Sequence, residues 1–182
     1  MTASHALPGF GDPAVGFDTP FDLLEACHER VLRSLALLQK LQDYLHDHRC
    51  DDSARQAARD VLRYFELAAP LHHEDEELHV FPPLLERGSA DAVAAVRQLQ
   101  QDHEAMSANW QAARGLLQAL AEGSQESFSA ADEAVLARFA GVYAEHIRLE
   151  EDLVYPAARA LLAPEAAQAM GAEMRRRRGA AG

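Results

Sequence analysis

The chain has 182 residues, 48% of them hydrophobic and 25% charged, which suits a single domain with a substantial core. A net charge of −12 opposes non-specific nucleic-acid binding, and no run approaches the roughly 18–20 apolar residues of a membrane span. Cys27 and Cys50 have neither Cys-x-x-Cys spacing nor an oxidising context, so no disulfide framework is expected. Met1 to Phe17 has neither the basic start nor the apolar core of a signal peptide, so the expected location is the cytoplasm.

Residues 1–18, rich in Gly, Pro and Ala without periodicity, read as a flexible arm. Thr19 as N-cap and Pro20 at the first helical position open a helix predicted to end near Asp47. Its seam runs through Phe21, Leu24, His28, Val31, Leu35, Leu38 and Leu45, an apolar stripe with one histidine set into it. Asp51-Asp52-Ser53 caps a second helix, in which Pro70 predicts a kink or short break and Pro82-Pro83 a bend or end before Gly88. Ser89 opens a third helix to about Glu122, with Val96, His103, Trp110 and Leu117 repeating at sevens. Ser129 with Asp132 forms a capping box for a fourth, whose predicted inner face carries Val135, Phe139, Val142, His146 and Leu153. Pro164 starts a short fifth helix into Arg175-Arg176-Arg177-Arg178, a tail expected to be solvated. With no convincing strand and short connections, the pattern is all-α: an antiparallel up-down four-helix bundle over 19–162, then a short helix and basic tail over 163–182.

One phrase occurs twice. His72-His73-Glu74-Asp75-Glu76-Glu77-Leu78-His79-Val80-Phe81-Pro82 is answered 74 residues later by His146-Ile147-Arg148-Leu149-Glu150-Glu151-Asp152-Leu153-Val154-Tyr155-Pro156. Residues four apart on a helix lie about 40° apart around the axis and about 6 Å along it, so each copy presents an imidazole and a carboxylate on one face. His28 and His103 add one histidine on each remaining helix, 44 residues before His72 and 43 before His146, giving the set an internal two-fold character. Four imidazoles can serve as terminal ligands, and two carboxylates can bridge two cations; the mixture suits iron, manganese or zinc. His73, Glu74, Asp75, Glu77 and His79 crowd the same turn and read as solvated groups or as partners that orient the ligands, with His73 the best substitute ligand. A ferritin-like Glu-x-x-His pattern is matched by Glu25/His28 and Glu76/His79 but fails before His103 and His146.

This set, His28, His72-x-x-x-Glu76, His103 and His146-x-x-x-Glu150 with its Phe81-Pro82 and Tyr155-Pro156 endings, resembles the bacterial hemerythrin-like (HHE cation-binding) domain. The resemblance implies an oxo- or hydroxo-bridged di-iron centre with Glu76 and Glu150 bridging and the four histidines terminal; Mn or Zn are possible substitutes. Invertebrate oxygen-carrying hemerythrins have a second histidine four residues after the third-helix ligand, where this chain has Ser107, and an Asp in place of Glu150. The implied function is binding or sensing of O₂ or NO, with peroxide as a further small ligand. A di-iron oxidase or peroxidase, and iron storage or donation in iron homeostasis or nitrosative stress, stand as alternatives, so the sequence leaves open whether the protein is an enzyme. Neither a nucleic-acid nor a membrane partner is expected, and the oligomeric state is open.

Overall fold

A computed structural model describes residues 16–180, so the predicted N-terminal arm lies outside them except for its last three residues. The helices are α1 (Pro20–Asp47), α2 (Asp52–Asp75), α3 (Phe81–Arg87), α4 (Ala90–Glu122), α5 (Ala130–Gly141), α6 (Tyr143–Leu149), α7 (Tyr155–Leu161) and α8 (Pro164–Arg177). Wide π-type turns, Glu76–Val80 and Glu150–Val154, join α2 to α3 and α6 to α7. Four rods result: α1, α2–α3, α4 and α5–α7. Short loops make successive rods antiparallel, so the domain is an up-down four-helix bundle, with no strand among the described residues. No described helix is long and apolar enough to cross a membrane.

The predicted ends are explained by local chemistry. Asp51 accepts from Ala54 N–H (2.9 Å), Ser89 from Ala92 N–H (3.2 Å), and the Ser129–Asp132 box is closed in both directions. Gly123 ends α4 at φ 78°, a left-handed conformation that favours glycine. Thr19 makes no side-chain cap bond; its hydroxyl turns back to the Gly16 carbonyl at 3.4 Å.

Two expectations about the rods need correcting. Pro70 has no N–H for the ladder, yet it does not break α2, which continues through it with Ala69 and His72 buried on either side. The irregularity falls instead just before Pro82 and Pro156, where the Phe81 and Tyr155 N–H groups reach back to the Glu76 and Glu150 carbonyls, five residues away. The fourth rod is also not one regular helix. Its buried face is Leu136, Phe139, Tyr143, His146, Glu150, Val154 and Tyr155, whereas Val135, Val142 and Leu153 are only partly buried. The break at Val142 and the extra residue of the π-turn shift the phase that an ideal 3.6-residue repeat predicts.

The apolar interior is divided in two. One core gathers Val31, Leu38, Phe65, Met106, Leu117, Phe139 and Tyr143; the other gathers Phe21, Leu24, Val80, Phe81, Leu99, Val154, Tyr155 and Met174. On every rod the polar residues of interest fall between the two sets: His28 between Leu24 and Val31, His103 between Leu99 and Met106. The bundle therefore carries a polar layer between two dry layers, and four rods hold it in place.

The basic tail is not a solvated end. Arg175 to Arg177 continue α8, which lies against α1; there Gly171 is so close to the Phe17 carbonyl that a Cβ would sit 1.8 Å from its oxygen. Arg177 and Arg178 reach Asp75, which is wholly buried.

Candidate metal centre

Seven polar or charged side chains are buried among the described residues: His28, His72, Asp75, Glu76, His103, His146 and Glu150. Six are the donors predicted from the sequence, and the structure brings all six together. Two carboxylates in an interior cost several kcal/mol each unless opposite charge compensates them.

The two carboxylates span the layer. Glu150 turns Oε2 to His28 Nε2 (3.0 Å) and Oε1 to His146 Nε2 (2.9 Å). Glu76 turns Oε1 to His72 Nε2 (3.5 Å) and Oε2 to His103 Nε2 (3.4 Å). Each glutamate thus offers one oxygen to the His28–His72 pair and one to the His103–His146 pair, the arrangement a bridging carboxylate requires. Two four-donor groups follow, His28/His72/Glu76/Glu150 and Glu76/His103/His146/Glu150, each with donor atoms within 4.8 Å of one another. Glu76 Oε2, both Glu150 oxygens, His103 Nε2 and His146 Nε2 are buried without a hydrogen-bond partner. These atoms crowd together without the alignment of hydrogen bonds, and a cation between them would satisfy them all. The donor set therefore fits two cations.

The outer ring nitrogens explain how the rings are aimed. His28 Nδ1 faces Glu151 (2.8 Å), His103 Nδ1 faces Glu77 (3.0 Å) and His146 Nδ1 faces Asp102 (3.4 Å). An N–H donated to each of these carboxylates leaves the Nε2 lone pair pointing inward and raises its basicity. Gln100 fixes Glu77 in turn at 2.8 Å. The aromatic of each motif copy stacks on the lone histidine of the opposite half: Tyr155 on His28 (centroids 5.5 Å, 11°) and Phe81 on His103 (5.6 Å, 21°). The internal two-fold seen in the residue spacing is a two-fold of geometry.

Without a cation the layer titrates unevenly. Burial pushes His28 down, but Glu150 and Glu151 outweigh it and hold the imidazole up at about 9. Burial dominates at His72, which drops well below its usual range, and at His73, which is lowered to about 3. Glu150, which burial would raise, is brought to about 2 by the His146 and His28 rings that face its oxygens.

The geometry matches a known family. The hemerythrin HHE cation-binding domain matches residues 19–158, and an uncharacterized protein of Haemophilus influenzae is 33% identical over 162 residues, covering 89% of this chain and 91% of that relative. The chain belongs to the hemerythrin HHE cation-binding domain family. The match spans every residue of the donor layer, and the hemerythrin-like bundle explains why these donors are spread over four rods.

Several neighbouring residues fall elsewhere than the ferritin-like spacing suggests. Glu25 binds Arg159 at 2.7 Å, and His79 binds Glu173 at 2.8 Å, both outside the layer. Glu77 orients a ring, as the crowded turn suggested. Tyr155 is the residue that sequence reasoning undervalued. Its hydroxyl donates to Glu76 Oε1 (2.5 Å) and lies 3.2 Å from His28 Nε2, fully buried. The motif alignment opposite Phe81 pointed to its ring, and the extra hydroxyl was the signal left unused. Glu151 and Asp102 are also orienting groups; Glu151 follows its donor just as Glu77 does, whereas Asp102 precedes His103 and serves His146 across the bundle.

Proposed function

We propose that the polar layer holds two iron ions, one on His28, His72, Glu76 and Glu150 and one on Glu76, His103, His146 and Glu150, and that the protein binds or senses a small diatomic, O₂ or NO. The observation that carries the reading is the pair of buried glutamates, each turning one oxygen to each histidine pair while five inward donor atoms lack any hydrogen-bond partner. Ferrous iron with an open position supplies the affinity for O₂ and NO, and nitrogen–oxygen donors suit it without any thiolate.

The chain's own residues do the rest. Glu77, Glu151 and Asp102 hold three of the rings in one orientation. The two apolar cores exclude water from above and below, so charge within the layer is weakly screened. Four neutral imidazoles and only two carboxylates leave the loaded centre net positive, and this histidine-rich donor set favours binding over the oxidase and peroxidase readings.

The test is metal content by plasma mass spectrometry on protein purified without an affinity tag, followed by anaerobic reduction and exposure to NO or O₂. About two irons per chain with new near-ultraviolet and visible bands on exposure is the expected result. Zinc, or a single metal, overturns the di-iron reading; steady consumption of peroxide well above free iron overturns the binding role in favour of an enzyme.

A further inference from the structure

The two halves of the layer differ in what stands beside them. At the His28–His72 pair, the Tyr155 phenol fills the adjoining space and is hydrogen-bonded in place. Its counterpart at the His103–His146 pair, Phe81, carries no hydroxyl. There a further imidazole, His73, lies face to face with His103 (centroids 4.0 Å, 14°) and 6.0 Å from the His146 ring. Its donor atom is within 4.8 Å of those of both histidines. The matching residue of the second motif copy is Ile147, which packs into an apolar core.

An imidazole binds a metal through a lone pair in its own plane. Two nearly parallel rings stacked at 4.0 Å therefore cannot both aim at one ion, so in this orientation His73 is not a ligand beside His103. It is instead a polar group with a hydrogen bond to offer at the edge of the layer. It also forms part of the wall of a cavity of about 440 Å³ bounded by Phe65, Ala69, Met106, Trp110 and Tyr143. Exposed Ser107 lines this cavity and a second, more open one that also contains His73 and His103. Neither of these two cavities is lined by Tyr155, His28 or His72.

We propose that small ligands reach the centre at the His103–His146 pair through this cavity, and that His73 hydrogen-bonds the ligand seated there. The inference rests on the di-iron reading and adds to it the side of entry and a ligand-binding residue outside the six donors.

The test is azide titration of the oxidised, iron-loaded full chain, followed by its charge-transfer absorption, with iron content measured on each sample. His73→Ile, which copies Ile147, should keep two irons and weaken azide binding about tenfold, the worth of one hydrogen bond. His73→Gln, which restores a donor, should recover most of that loss. Ser107→Phe should slow azide association about tenfold at unchanged iron content, by narrowing the entrance. Unchanged azide affinity in iron-replete His73→Ile overturns the hydrogen-bond role, loss of an iron in that variant overturns it in favour of direct ligation, and an unchanged association rate in Ser107→Phe overturns the route. A wild-type chain with two irons that binds no azide overturns this inference alone. A wild-type chain with fewer than two irons overturns the di-iron reading and this inference together.

Discussion

His72–Pro82 and His146–Pro156 carry the same donor types, the same π-turn and a stacking aromatic at the same position, yet they are held from behind by different physics. The second copy backs onto apolar packing: Ile147 is buried, and Leu149 and Leu153 pack at the edge of a core. The first copy has His73, Asp75 and His79 at the matching positions, and the last two are gripped by charge from the C-terminal helix. Arg178 meets Asp75 Oδ2 at 2.5 Å; Arg177 meets Asp75, Glu74 and Glu173; and Glu173 meets His79. Burial raises the Asp75 carboxyl and the two arginines pull it back, so the residue between His72 and Glu76 depends on α8 for its charge balance. Apolar backing needs no partner of opposite sign. A buried charge does, and this ties one half of the layer to a helix distant in sequence.

The largest expected effect breaks both halves at once. Glu76→Ala or Glu150→Ala should remove an oxygen from each histidine pair and cost at least one metal, while His79→Ala should retain both; metal counting separates the outcomes. Equal loss from all three would mean that the donors are wrongly assigned. Next is the charge clamp. Arg178→Ala leaves Asp75 buried with Arg177 alone; stripping a buried charge of its partners costs about 3–5 kcal/mol, and losing one of two should cost part of that. Urea unfolding of the metal-free chain should show this drop, whereas Leu149→Ala in the other copy, at a partly buried site, should cost less.

Tyr155→Phe makes the second copy like the first. Losing a hydrogen bond to a carboxylate should lower metal-free stability by about 1.5–3 kcal/mol in the same assay. Glu77→Ala and Glu151→Ala test the two-fold directly: each should weaken metal binding by about 10–100-fold in a competitive chelator titration, and by similar factors. The smallest effect is one of pH. Hydrogen bonding to Arg177, and then to His79, holds Glu173 down at about 2, below its ordinary carboxylate value. A depressed carboxylate adds stability that is complete above its unfolded value and is lost as pH falls toward 2. Glu173→Gln should therefore flatten part of the acid limb of the Tm–pH curve by lowering Tm in the neutral region, with the two curves converging as pH falls toward 2.

Much of this was legible along the chain. Pro20 at the start of α1, the Ser89 cap and Gly123 end of α4, and the three-four apolar spacing specify these two helices almost to the residue, because they are local interactions within one or two turns. The six donors were legible because a chelating pair on a helix leaves an i, i+4 signature, and here it appears twice. Periodicity failed on the fourth rod, where the break at Val142 turns the face toward Tyr143 and the extra residue of the π-turn moves it from Leu153 to Val154. It failed at Pro70 too, where packing on both sides outweighs one missing hydrogen bond.

The sequence by itself determined that this is an all-helical bundle with one imidazole or one imidazole–carboxylate pair on each rod. Only the tertiary structure decided which oxygen of each glutamate serves which pair, that Tyr155 closes one side while His73 stands at the other, and that the arginine tail is a clamp on Asp75. Those facts depend on contacts between residues up to 127 apart, such as Tyr155 and His28. Helical periodicity records which way a side chain faces from its own axis, and it carries no information about what meets it there.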